Sequence, residues 1–126
     1  MKEYEKWFKK AEGDLMIIKN VISLDNAPYD LCCFHAQQAA EKYLKSYLVV
    51  RNTAFPKTHD LVQLIELCLK FNNRFNDILQ ISYRLSEYGV TPRYPDGVDD
   101  IEIEEAKQAY QNSITIKEFV ITHFFD

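Results

Sequence analysis

The sequence predicts an all-α fold, a bundle of four or five helices, and three observations carry that reading. Apolar residues recur at the i, i+3/i+4, i+7 spacing of an amphipathic helix in five separate stretches, and no stretch sustains the strict alternation of a half-buried strand. All four prolines fall between those stretches, where a missing N–H and a fixed φ do no damage. The length of 126 residues, with 47% hydrophobic and 27% charged residues, suits one globular domain spanning 1–126 with an ordinary core, not a disordered chain.

The first helix is expected over residues 2–24, with Tyr4, Trp7, Phe8, Ala11, Leu15, Ile18 and Ile22 as its apolar stripe and Gly13 weakening it by about 1 kcal/mol relative to Ala. Asp14 lies at the edge of that stripe, either as a boundary carboxylate or as a partner for Lys42 or Lys45 on the next helix. Asp25, Asn26 and Pro28 form a connection short enough to make the first two helices an antiparallel pair. The second helix, Asp30–Val50, is the longest uninterrupted helical pattern. Cys33, Ala36, Ala40, Tyr43, Leu44 and Tyr47 share one broad face, while Phe34, Gln38, Glu41, Lys45 and Leu48 run along another side. Because most of its circumference is apolar, Gln38, Glu41 and Lys45 are expected between helices, as a polar seam shared with Asp14 or as a site. Buried polar groups without partners cost about 1–3 kcal/mol each, so such a seam has to be internally satisfied.

A third helix opens after Pro56, with Thr58 as the expected N-cap and Asp60 in the first turn, and uses Leu61, Leu64, Ile65, Cys68 and Leu69 before ending near Phe71. The fourth runs from about Arg74 to Tyr88 with Phe75, Ile78, Leu79, Ser82 and Leu85 inward. Gly89–Asp100 holds two prolines and two glycines and is expected to be irregular. Asp99 with Glu102 forms a D-x-x-E capping pair for a last helix over about 101–124, facing inward with Ile103, Ala106, Tyr110, Ile114, Lys117, Ile121 and Phe124.

Composition narrows the function. A net charge of −4 and a pI near 5.4 exclude a global basic field of the kind that advertises nucleic acid, so any phosphate binding must be focused. Cys32, Cys33 and Cys68 show no metal-binding spacing and read as buried thiols of a reducing cytoplasm. No apolar leader and no run of 18 apolar residues occurs, so a cytoplasmic protein without a membrane segment is expected.

Few residues carry chemistry. His35, three positions before Gln38, is either a proton-shuttling or phosphate-binding imidazole or a partly exposed helix residue, and the second reading is preferred. His59 sits with Lys57 and Thr58 at a helix start, where free backbone N–H groups hold anions; the alternative is a capping cluster. Arg93, Tyr94 and Asp96 stand between or beside two prolines. Arginine matches phosphate bidentately and an aromatic can stack on a base, while Arg93 paired to Asp96 with Tyr94 packed on the bundle is the equally weighted alternative. The acids from Asp96 to Glu105 lack calcium-loop spacing and coincide with a helix start, so neither a metal nor a cofactor is expected.

Four marks together resemble a HEPN domain (higher eukaryotes and prokaryotes nucleotide-binding) of the small stand-alone kind. They are Trp7, Ala11, Asp14 and Leu15 on the first helix; Phe34 to Lys45, FHAQQAAEKYLK, on the second; Lys57-Thr58-His59-Asp60-Leu61 opening the third; and Arg93-Tyr94-Pro95-Asp96 before the last. The resemblance implies an up-and-down four-helix bundle with an additional fifth helix, commonly a homodimer. It also implies a module that binds a nucleotide or RNA and partners a small nucleotidyltransferase in a toxin–antitoxin-type pair. In that picture Arg93 engages phosphate, Tyr94 stacks or is modified by the partner, and Lys57, His59 and Asp96 share the groove. Many members are metal-independent endoribonucleases with Arg and His separated by four to six residues. Here no arginine has that spacing, and Arg51 to His59 is one position too long. The expectation therefore leans away from an enzyme, with a ribonuclease using His59 and Arg93 as one alternative and a ligand-free dimeric scaffold as another.

Overall fold

Five α-helices make up the described chain: α1 (Glu3–Val21), α2 (Tyr29–Val50), α3 (Leu61–Leu69), α4 (Leu79–Val90) and α5 (Ile103–Thr122), with a 3-10 helix at Asn73–Ile78 running directly into α4. The computed structural model describes residues 1–90 and 100–126, and no strand occurs among them. α2 packs on α1, α3, α4 and α5 alike. Its sequence explains why. Ala36, Ala39 and Ala40 are fully buried and let neighbouring backbones come close, while Tyr43, Leu44, Tyr47 and Leu48 fill the space below them.

α1 lies against α2 through Ala11, Leu15 and Ile18. Asp14, nearly buried, ties the pair: its carboxylate meets Lys42 Nζ at 2.5 Å and His35 Nδ1 at 2.8 Å. A second link joins three helices, because Glu12 accepts from the Tyr43 hydroxyl and pairs with Lys117 of α5 at 2.7 Å. Between α1 and α2, Asn26 takes a left-handed φ of 55°, a conformation asparagine tolerates better than most residues. α2 ends similarly. Asn52 has φ 53°, its N–H reaches the Val49 carbonyl and that of Thr53 reaches Leu48, the paired bonds of a Schellman stop.

Aromatic rings close the far end of the core. Phe75 lies 4.6 Å from Tyr47 and 4.9 Å from Phe119, and Phe124 packs 5.0 Å from Phe8.

Several boundaries depart from the sequence-based expectation. α1 stops at Val21, three residues early. Asp60, not Thr58, caps α3: its carboxylate accepts from the Val62 N–H at 3.0 Å, while the Thr58 hydroxyl accepts from the Asp60 N–H. The start of the fourth helix is a 3-10 segment capped by Asn72, and α4 continues through Gly89 to Val90. Glu102 holds the N-cap position of α5 without a side-chain cap bond, and Asp99 lies outside the described residues. The buried face of α5 is also rotated from the expected one: Ala109, Ser113, Ile116 and Val120 point inward with Ala106 and Phe124, and Ile121 is 49% exposed.

Candidate functional site

Glu41 is the centre of the most connected polar cluster on α2. Its side chain is 5% exposed, yet it accepts from Lys45 Nζ at 2.9 Å, from Gln37 Nε2 at 3.2 Å and meets His59 Nδ1 at 2.9 Å. Burial raises the carboxyl pKa, but the bonds from Lys45, His59 and Gln37 together outweigh it and hold the group below the ordinary carboxylate value. An ionised carboxylate only accepts, so His59 Nδ1 carries the proton. The remaining ring nitrogen, Nε2, then belongs to a side chain 57% exposed.

Gln37 fixes the loop that carries this imidazole. It is fully buried, and its amide donates both to Glu41 and, at 2.8 Å, to the His59 carbonyl; its oxygen accepts from Gln38 Nε2 at 2.7 Å. α4 supplies the opposite wall. Ser86 Oγ accepts from the Leu61 N–H at 2.9 Å and donates to Asp60 Oδ1 at 3.2 Å. One turn on, Gly89 lies so close to Gln37 that an added Cβ would stand 2.5 Å from its Cδ. Glycine is required there for approach, not for backbone shape. The Lys45 ammonium, besides neutralising Glu41, lies 5.6 Å from the ring centroids of both Trp7 and Phe55.

The expected site residues are thus distributed unevenly. Glu41, Lys45 and His59 converge, and Lys57 is exposed two residues from His59. Gln38 is only the outer member of the seam; the buried amide is its neighbour Gln37. Asp14 does not join that seam, being engaged with Lys42 and His35 in a separate cluster; His35 is the partly exposed helix residue expected, with its Nδ1 on Asp14. Arg93, Tyr94 and Asp96 lie outside the described residues. Among the described residues no group of three His, Cys, Asp or Glu side chains is arranged to hold a metal ion, and no helix is long and apolar enough to cross a membrane. Sequence reasoning missed Gln37, Ser86 and Gly89. For Gln37 a signal existed: 37, 41, 44 and 48 share the i, i+4, i+7, i+11 spacing with two fully buried leucines.

What the arrangement can do follows from its parts. A buried carboxylate orients a largely exposed imidazole, which is the geometry of a general base and, with a second proton on Nε2, of a general acid or a phosphate donor. A HEPN domain model matches residues 4–123, and the chain belongs to the HEPN domain family. Two crystal structures are similar to it over nearly their whole lengths. The archaeal HEPN homologue ST0689 is 28% identical with a TM-score of 0.78, covering 98% of this chain and 99% of that one. TT1696 from Thermus thermophilus is 26% identical with a TM-score of 0.79, covering 97% and 98%. No curated protein matches the chain.

Proposed function

We propose that this HEPN chain is a nucleotide- or RNA-binding module whose site centres on His59. The observation that supports it most is the Glu41-held imidazole, which offers Nε2 at the surface two residues from the exposed Lys57. Arg93 engages phosphate, Tyr94 stacks on a base or receives a partner's modification, and Asp96 shares the groove with Lys57 and His59. The protein acts as a homodimer and as the partner of a small nucleotidyltransferase in a toxin–antitoxin-type pair. The resemblance of its motifs supports the partner. Exposed Leu31 and Phe34 on α2 and Ile17 on α1 support the dimer.

Fluorescence anisotropy with a short single-stranded RNA tests the reading. Binding is expected to saturate, to weaken from 50 to 200 mM salt, and to weaken further in His59→Ala and Arg93→Ala, while the RNA stays intact. If neither RNA nor nucleotide binds at millimolar concentration while the dimer persists, a scaffold without ligand is left. Pull-down from the native host that yields no nucleotidyltransferase removes the partner.

The Glu41–His59 pair also favours a second reading, a metal-independent endoribonuclease with His59 as general acid or base and Arg93 stabilising charge on the phosphorus. It requires RNA cleavage in EDTA that His59→Ala abolishes.

A further inference from the structure

Trp7 has one side occupied. Phe55 sits 6.3 Å away, edge to face, and the Lys45 ammonium lies over the indole at 5.6 Å, anchored from below by Glu41. The ring is therefore held in place by the same cluster that holds His59. Its other neighbours are different. Glu3, Lys6, Trp7 and Lys10 line an open pocket of about 510 Å³, within the range of small-ligand sites. Lys6 and Lys10 are exposed and stand one helical turn apart, and no carboxylate among the described residues lies within ion-pair distance of either. Lys42, Lys45 and Lys117, by contrast, are all neutralised by an acid. Glu3 is the one acid lining the pocket among the described residues, against two unpaired lysines.

A flat, immobilised indole next to two free ammonium groups suits a ligand with a π-face joined to an anion. We propose that this pocket is a nucleotide subsite: a nucleobase stacks on Trp7 while its phosphate is held by Lys6 and Lys10. The subsite rests on the reading of the chain as a nucleotide- or RNA-binding module and extends its site from the His59 loop across Lys45 and Phe55 to the first turns of α1. The ligand is either a free nucleoside monophosphate or one unit of a single strand, and both present the same base-plus-phosphate chemistry. Stacking tolerates any base, so the subsite adds affinity and register without sequence preference.

Trp7 is the chain's single tryptophan, so its own emission reports the pocket. AMP and a short labelled single-stranded RNA are titrated separately, the first read by quenching, the second by quenching and anisotropy. Saturable quenching by either supports the subsite. AMP alone identifies a mononucleotide site, and RNA alone a strand-binding one. Trp7→Ala is expected to lower RNA affinity roughly 5- to 150-fold, the loss of one base stack, with Trp7→Phe between it and the parent. Lys6→Ala/Lys10→Ala leaves the indole and its packing untouched and is expected to flatten the slope of log K against log salt by about 0.7, one phosphate on a single strand. If RNA binds, yet Trp7 emission does not change and both Trp7→Phe and the double lysine variant bind like the parent, the subsite is wrong while the binding module stands. If nothing binds, the module reading falls and the subsite with it.

Discussion

Two of the chain's glycines lie inside helices, and alanine should have opposite effects at them. At Gly13 an added Cβ meets nothing within 4 Å on an exposed face, so Gly13→Ala is expected to stabilise by about 0.5–1 kcal/mol through helix propensity alone. At Gly89 the same methyl would stand 2.5 Å from Gln37 Cδ and 2.7 Å from both its amide atoms. Gln37 has no room to yield cheaply, being fully buried and bonded to Glu41, the His59 carbonyl and Gln38. If it stays, overpacking costs about 1–3 kcal/mol. If it moves, a buried amide and the His59 carbonyl lose their bond, at about 1–3 kcal/mol. Alanine's propensity returns about 1 kcal/mol, leaving a net loss of about 0–2 kcal/mol for Gly89→Ala, against the gain expected at Gly13. Urea denaturation followed by far-UV circular dichroism reads both variants as midpoint shifts at constant slope. A double-mutant cycle locates the cause: in a Gln37→Ala background, which removes the obstructing amide, Gly89→Ala should become neutral or stabilising. Gly89→Ala as stable as Gly13→Ala would refute the close approach, and an unchanged penalty in the Gln37→Ala background would refute its assignment to Gln37.

Glu41 makes stability depend on acid. Its folded pKa lies below the unfolded value, so in the window between them the unfolded chain binds more protons; stability is full above that window and declines as pH falls through it. Denaturation midpoints from pH 6 to 3 should therefore fall less steeply in Glu41→Gln than in the parent, and parallel curves would count against the buried carboxylate. Asp60→Ala should cost about 0.5–2 kcal/mol, more than Thr58→Ala, since Asp60 caps α3 and also accepts from Ser86; thermal melts of both variants decide it. Asp14→Asn weakens the bonds to both Lys42 and His35 and should destabilise by about 1–3 kcal/mol, while Asp14→Asn/Lys42→Met should recover part of that loss by removing the unpaired ammonium.

Much of the bundle is legible in the sequence because helical spacing and proline placement report burial directly. On α2, Cys33, Ala36, Ala40, Tyr43, Leu44 and Tyr47 form one stripe and all are fully buried. Where residues of mixed character share a helix, periodicity loses resolution. Gln37 and Gln38 differ by 100° of rotation, and Gln37 is the one inside, bonded to Glu41 and the His59 carbonyl and packed on Gly89. The same ambiguity displaced the α5 face, since small buried Ala109 and Ser113 carry a weaker apolar signal than exposed Ile121. Thr58 and Asp60 both favour helix starts, and the choice between them rests on one backbone N–H, that of Val62. The Glu41–His59 contact joins residues 18 apart across a loop, a distance that no short spacing rule covers. Its two ends were each recognisable, as a seam carboxylate and as a histidine at a helix start; their meeting was not.

The position of α2 has a kinetic consequence. Because α1, α3, α4 and α5 all rest on it, α2 can lose its protection only when the rest of the bundle lets go. Its amide hydrogens should exchange with deuterium through global opening, at a rate set by the full unfolding free energy. α1 rests on α2 without comparable packing on α3 and α4, so its opening is expected to cost less than that of the whole bundle while exposing Asp14, Leu15 and Ile18. Exchange along α1 is thus expected to be faster than along α2. Since Trp7 rides on α1, the indole that walls Lys45 would open and close on the timescale of that helix, while the Glu41–His59 pair keeps the slower clock of the centre.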